Sequence, residues 1–209
     1  MSVFSRTATQ HPMPFGAIDV DVTDEAAIAR AFEAARGKNG PVTILVNNSG
    51  VAESAPLLRT STQMWDRTIA TNLTGTFLCT REALGDMVAQ KFGRIVNIAS
   101  VAGLHGGPYI SAYTASKHGV VGLTRALAAE LTGSSITVNA VCPGYTESEM
   151  LERAVTNVAL KSGKTTAEAR AQLAEMNPRR RIVEPKEVAQ AVVAICESDR
   201  SGEEVVLPS

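Results

Sequence analysis

The chain is 209 residues long, a length that one domain accounts for. Its 20 Lys and Arg nearly cancel its 21 Asp and Glu, which excludes the basic face that a general grip on nucleic acid requires. A composition that is 44% apolar and 20% charged excludes a disordered tail and supplies a sizeable core.

In chain order, residues 1–15 (MSVFSRTATQHPMPF) lack the apolar h-region of a secretory signal. Residues 16–21 (GAIDVD) read as a short strand. Residues 24–36 carry Ile28, Ala31, Phe32 and Ala35 on one stripe, the pattern of an amphipathic helix, and Gly37, Gly40 and Pro41 stop it. Residues 42–46 are continuously apolar, as in a strand buried on both faces of a parallel sheet. Residues 62–90 read as a long helix with Trp65, Ile69, Leu73, Phe77 and Leu84 inward. A strand at 94–99 follows, then a helix over 112–131 with Val120, Leu123, Leu127 and Leu131 on one face. The next strand, 136–141, ends at Pro143-Gly144. Residues 147–164 are polar and follow a strand's carboxyl end, so they read as a mobile flap beside the site. Helices at 166–176 and 186–196 and a strand at 204–207 complete the chain.

Strand alternating with helix predicts an α/β fold, a parallel sheet with helices on both faces, in one domain over 1–209. No stretch approaches the ~20 apolar residues of a membrane span. Cys79, Cys142 and Cys196 stand apart with no CxxC or Cys/His cluster. Neither a disulfide framework nor a metal site is therefore expected, and the cytoplasm is the expected compartment.

Tyr113 and Lys117 are spaced to share one face of a helix. A tyrosine is a poor acid or base near neutrality, and an ammonium close by lowers its pKa toward usefulness. Ser100 ends the strand 94–99, where open α/β sheets place reactive groups, and its hydroxyl suits a carbonyl oxygen. Asn47-Asn48-Ser49-Gly50 ends another strand, and Gly50 admits close approach of a ligand to backbone. Asn72 is a poor mid-helix residue, which hints at a used side chain or a local distortion. Asp21 is either a helix-start residue or a contact for a ligand's base. His105 reads as a solvated loop residue, Arg179-Arg180-Arg181 as a solvated face, and Cys142 as a small apolar packer. A Ser-His-Asp hydrolase using Ser100 and His105 is disfavoured, since Ser100 lacks the G-x-S-x-G elbow.

These pieces together resemble the classical short-chain dehydrogenase/reductases. DVTD at 21–24, NNSG at 47–50, NLTGTF around Asn72, NIAS-VAG at 97–103, YTASK at 113–117 and VNAVCPGYT at 138–146 stand in that family's order. The resemblance implies a Rossmann-type doubly wound sheet binding NAD or NADP, with Asn72, Ser100, Tyr113 and Lys117 as the catalytic tetrad. It implies that Tyr113 is the general acid/base and that Ser100 orients the substrate oxygen. Lys117 would lower the tyrosine pKa and hold the nicotinamide ribose, while Asn72 supports a water in a proton relay. It places Asp21 and Val22 at the adenine, Asn48, Ser49 and Gly50 on the adenosine side, and Pro143, Gly144, Tyr145 and Thr146 at the nicotinamide. The substrate implied is a small ketone or secondary alcohol, with 3-oxoacyl or 3-hydroxyacyl thioesters favoured by similarity to 3-oxoacyl (acyl carrier protein) reductases and 3-hydroxyacyl-CoA dehydrogenases. Members pair through the helices matching 62–90 and 112–131, so a homo-oligomer is expected.

The family's Gly-rich turn, where backbone N–H groups meet the pyrophosphate, has no counterpart, and residues 1–15 contain no glycine. Aligned by its motifs, the chain is expected to enter at the family's third strand, a sheet truncated at the N-terminus with the first two strands absent. The strand 16–21 is then expected to lack a neighbour, and 42–46 to show a bare apolar edge. Arg180 stands where the resemblance suggests glycine. The residue that separates NAD from NADP follows the absent second strand. A shortened but normal enzyme is the favoured reading; the alternative is a catalytically inactive relic that binds a partner.

Overall fold

Apolar runs of the sequence end at residues that cap or break them, and these stops set the element boundaries in the computed structural model, which describes residues 1–10 and 15–208. In chain order they are β1 (Ser2–Ser5), β2 (Gly16–Asp19), α1 (Glu25–Asn39), β3 (Ile44–Asn47), α2 (Thr62–Ile69), α3 (Gly75–Gln90), β4 (Gly93–Ile98), α4 (Ser111–Glu130), β5 (Ile136–Pro143), α5 (Glu149–Ser162), α6 (Thr166–Glu175), α7 (Pro185–Cys196) and β6 (Glu204–Leu207). Helix α1 shows the logic. The Asp24 carboxylate accepts from the Ala27 N–H at its start, and Gly40, at φ 76°, turns the chain out of it. Its stripe of Ile28, Ala31, Phe32 and Ala35 is buried throughout.

Four strands form a parallel sheet in the order β3-β4-β5-β6, and β1 and β2 pair in parallel as a separate ribbon. The expectation that 16–21 lacks a neighbour is therefore wrong: Ser2 stands opposite Gly16 and Ser5 opposite Asp19. Residues 2–5 (SVFS) are too short and too polar to reveal a strand by periodicity. The bare edge does exist. Among the described residues β3 pairs only with β4, and Ile44 and Val46 on it are 52% and 42% exposed.

One apolar cluster ties the ribbon to the main sheet through α1 and α3, joining Val20, Ile28 and Phe32 to Leu78, Met87, Ile95 and Val138, with Phe4 packed against it. Phe4 meets Phe32 edge-on with ring centroids 5.2 Å apart. The opposite face of the sheet is covered by α7, where Ile195 packs with Val96, Val141, Val183 and Leu207. Each such fully buried side chain is worth roughly 1.5–3 kcal/mol.

Two helical expectations need correction. The span 62–90 is two helices joined by a π-helical turn over Ala70–Thr74, and its inward face is Thr68, Asn72, Thr76, Ala83 and Met87. Trp65 and Phe77 face outward, 39% and 42% exposed, because small residues let the long helices pack closely. A Cβ on Gly119 of α4 would lie 2.6 Å from Leu73, a measure of that closeness. The polar stretch 147–164 is largely the helix α5, capped by the Ser148 hydroxyl and by Gly163 at φ 70°. It packs on α6 through Leu151, Val155, Ala169 and Leu173, and Arg170 pairs with both Glu147 and Glu152.

Candidate active site

The carboxyl ends of the central strands β4 and β5 bring four of the expected residues together. Ser100 follows β4 in extended conformation, 8% exposed. Its hydroxyl accepts from the Ala102 N–H at 3.1 Å and lies 3.4 Å from the Pro143 carbonyl, to which it can donate. Tyr113 sits in the first turn of α4, and Lys117 one turn later. The Lys117 Nζ donates to the Ile98 carbonyl at 2.7 Å, is nearly fully buried, and lies 5.8 Å from the Tyr113 ring centroid.

Burial dominates the electrostatics of this pair. It draws the Lys117 pKa down to about 8. It pushes the Tyr113 phenol up, an effect the Ser100 hydroxyl opposes and the nearby Tyr145 phenol reinforces. Any lowering by Lys117 of the kind the resemblance implies does not outweigh this burial, and the net direction for the Tyr113 phenol is up. Cys142 is inert, its thiol pushed up to about 11 by burial.

Asn72 sits in the π-helical turn, and its side chain is fully engaged. Oδ1 accepts from the Val51 N–H at 2.8 Å, while Nδ2 donates to the Val51 carbonyl at 2.9 Å and the Ser116 hydroxyl at 3.0 Å. The Thr76 hydroxyl donates back to the Asn72 carbonyl, the kind of i−4 bond that disturbs a helix. Asn72 thus braces the segment after β3 against α4. Gly50 passes close to the cluster: a Cβ there would lie 3.5 Å from Asn72 Oδ1 and 3.7 Å from Lys117 Nζ. Asn48 and Ser49 beside it are exposed.

The remaining expected contacts are more dispersed. Asp21 is exposed, and its carboxylate accepts from the Thr23 N–H and hydroxyl, which holds its pKa low. Val22 packs under α3, where a Cβ on Gly75 would meet its carbonyl at 2.8 Å. Pro143, Gly144, Tyr145 and Thr146 leave β5 beside Ser100; the Gly144 N–H donates to the Leu207 carbonyl, and the Thr146 hydroxyl to the Gly144 carbonyl. His105 and Arg179, Arg180 and Arg181 are exposed, as expected of solvated residues.

Three supporting residues escaped the sequence reading. Ser116, fully buried, donates to the Tyr113 carbonyl at 2.7 Å while accepting from Asn72. Asn97 lies opposite Asn47 and links it to the Thr124 hydroxyl across the sheet. Asn177, 4% exposed, binds the backbone of Tyr145. Asparagines in strands and loops look like turn residues in sequence, so only the tertiary contacts reveal them. A separate hollow, lined by Arg125, Thr132, Thr137 and Gly202, lies at the amino ends of β5 and β6 and holds none of these groups.

The donors gathered here, two hydroxyls and an ammonium beside a close-running backbone, fit the nicotinamide and ribose of NAD or NADP. Among the described residues no Gly-rich strand-to-helix turn is present to receive a pyrophosphate. No cluster of three or more metal-ligating side chains occurs among them, and no helix is long and apolar enough to cross a membrane.

Residues 5–159 match the family model described as short chain dehydrogenase. An inactive 2-(S)-hydroxypropyl-CoM dehydrogenase 2 from Xanthobacter autotrophicus is 48% identical over 65% of this chain and 59% of its own length. A putative ketoacyl reductase 1 of the granaticin polyketide synthase of Streptomyces violaceoruber is 43% identical over 86% of this chain and 66% of its length. The 3-oxoacyl-[acyl-carrier-protein] reductase FabG of Thermotoga maritima is 37% identical over 87% of this chain and 70% of its length. The chain thus spans about 59% to 70% of these relatives. Among solved structures, an actinorhodin polyketide ketoreductase with NADPH superposes with a TM-score of 0.92 at 32% identity, covering 99% of this chain and 85% of that one.

Proposed function

Because the chain belongs to the short-chain dehydrogenase family, we propose that it interconverts a ketone and a secondary alcohol with NAD(H) or NADP(H), acting as one domain over 1–209. The observation that carries this is the meeting of Ser100, Tyr113 and Lys117 at the carboxyl ends of the central strands. The substrate class we favour is a 3-oxoacyl thioester, supported by relatives named as ketoacyl and 3-oxoacyl reductases.

In the reductive direction the Tyr113 hydroxyl gives its proton to the carbonyl oxygen, and the Ser100 hydroxyl holds that oxygen by a hydrogen bond. When bound, the cofactor's nicotinamide supplies the hydride that reaches the carbonyl carbon. Lys117 would hold the ribose hydroxyls and, with its pKa near 8, would supply positive charge as the phenol ionises. The segment 143–146 would flank the nicotinamide end, Asn48, Ser49 and Gly50 the adenosine side, and Asp21 and Val22 would lie toward the adenine. Asn72 keeps the segment after β3 in register with α4, so both hydroxyls meet one oxygen. The assembly is a homo-oligomer formed on the outward face of α2 and α3, where Trp65, Phe77 and Val88 are 39%, 42% and 57% exposed. The free state of all three cysteines suits a cytoplasmic protein.

The test is calorimetric titration of the folded chain with NADH and NADPH, followed by ketone-dependent loss of reduced-cofactor absorbance over a panel of 3-oxoacyl thioesters and simple ketones. Binding of one cofactor with turnover supports the reading. A folded chain that binds neither overturns it and restores the inactive, partner-binding alternative.

A further inference from the structure

The arm formed by α5 and α6 leaves the fold just after β5 and returns just before α7, and its two ends are stitched together at its base. Tyr145 and Thr146 on the outgoing side meet Val183 on the returning side. The Val183 N–H donates to the Tyr145 carbonyl at 2.9 Å and the Glu147 N–H to the Val183 carbonyl at 3.0 Å. Asn177, at the end of the arm, completes this seam with its side chain. Its Oδ1 accepts from the Tyr145 N–H at 2.6 Å, and its Nδ2 donates to the Tyr145 carbonyl at 2.8 Å and to the Arg181 carbonyl at 2.7 Å. Both amide protons and the amide oxygen are used, in a side chain that is 4% exposed. With one N–H and two carbonyls facing it, only one orientation of the amide satisfies every partner.

The contact is tight. A Cβ on Gly144 would fall 2.3 Å from Asn177 Oδ1 and 2.7 Å from its Cγ. The chain after Asn177 is held at some cost: Arg179 and Arg180 have φ of 59° and 54°, a region non-glycine residues rarely adopt. The Arg180 N–H donates to the Asn177 carbonyl at 3.0 Å, so this turn folds back onto the same residue. Tyr145, whose backbone Asn177 grips on both sides, carries a phenol close enough to Tyr113 to disfavour its ionisation.

We propose that Asn177 is a positioning residue: it closes the base of the α5–α6 arm and, through the Tyr145 backbone, sets the wall of the site that faces Tyr113. This rests on the function proposed above. A hydroxyl or a hydrophobic side chain at 177 cannot serve both a donor and two acceptors at once. Aspartate keeps the acceptor but, when ionised, sets a carboxylate against two carbonyls; when protonated, it regains one donor.

The test compares wild type, Asn177→Ala and Asn177→Asp as full chains by amide hydrogen exchange, steady-state kinetics and pH profile. In Asn177→Ala the Tyr145 amide is expected to exchange roughly a hundredfold faster while Val138 and Val141 in β5 stay protected. KM for the ketone is expected to rise roughly tenfold with a smaller change in kcat, the scale of a lost buried hydrogen-bond set. Asn177→Asp should approach wild type at low pH and fall to the alanine level as its carboxyl ionises, with KM following the pH while the β5 amides stay protected, a split that a merely structural residue would not give. Gly144→Ala should collide with Asn177 and lower Tm. The double variant Gly144→Ala/Asn177→Ala should recover Tm without recovering KM, which guards against a single variant that fails to fold.

Unchanged Tyr145 exchange, or lost protection with unchanged KM and a flat Asn177→Asp profile, overturns the proposal. If wild type turns over no ketone, the functional reading fails, and exchange at Tyr145 alone decides whether Asn177 holds the wall.

Discussion

Replacing Lys117 by methionine separates what this residue does for chemistry from what its burial does to stability. The folded pKa of about 8 lies below the ordinary value of 10.5. Each pKa unit corresponds to about 1.4 kcal/mol, so holding the charged form inside costs about 3 kcal/mol. Because the folded value is the lower one, that cost is complete below pH 8 and fades as pH rises toward 10.5. That figure is a net one, so the bond from Nζ to the Ile98 carbonyl gives no further offset. At pH 7 Lys117→Met should therefore stabilise the protein by up to about 3 kcal/mol, the cost it relieves, while removing turnover. The pH dependence carries the information. Between pH 7 and 9.5 the wild type should gain about 2 kcal/mol relative to the variant, as the unfolded lysine binds a proton the folded one has released. Urea unfolding followed by circular dichroism at both pH values measures this. Parallel stability curves for the two proteins would refute a desolvated Lys117, and with it the electrostatics assigned to the site.

Other substitutions probe the supports of the site. Asn72→Ala leaves the Val51 N–H and carbonyl and the Ser116 hydroxyl without their partner. It should cost roughly 2–3 kcal/mol in chemical denaturation and lower kcat/KM; a neutral result would remove its bracing role. Val46→Lys on the free edge of β3 should reduce concentration-dependent light scattering while changing stability by less than about 1 kcal/mol. Phe77→Glu on the outward face of α2 and α3 should shift the sedimentation profile toward smaller species, and an unchanged profile would refute that face as the subunit contact.

The main sheet and the central pair of reactive residues were legible because their physics is local. The stripe of Ile28, Ala31, Phe32 and Ala35 is a repeat along one helix, and Tyr113 and Lys117 share a face by spacing alone. The apolar run of β3 is legible as a strand on its own, whereas its bare edge follows only from the strand order that the family resemblance implies. What stayed hidden depends on partners far away in sequence. The four residues of β1 become a strand only because β2 and Phe32 receive them. Trp65 and Phe77 looked inward because apolar periodicity does not say which side of a helix a neighbour covers, and here Thr68, Asn72 and Thr76 face the core. Residues 147–164 looked like a loop because α5 buries only Leu151 and Val155 deeply against α6. Asn97, Ser116 and Asn177 brace the site through hydrogen bonds that span the sheet, the α3–α4 contact and the arm, none of which leaves a spacing in the chain.

The central claim is that Tyr113 moves the proton in a cluster that Ser100 and Lys117 complete. Its most direct measurement is turnover of a 3-oxoacyl thioester with reduced cofactor by wild type and by Tyr113→Phe, with cofactor affinity and circular dichroism recorded for both. The account predicts ketone-dependent cofactor oxidation by the wild type and a loss of at least ~100-fold in the variant, with fold and cofactor affinity retained. Equal rates in the two proteins would contradict it.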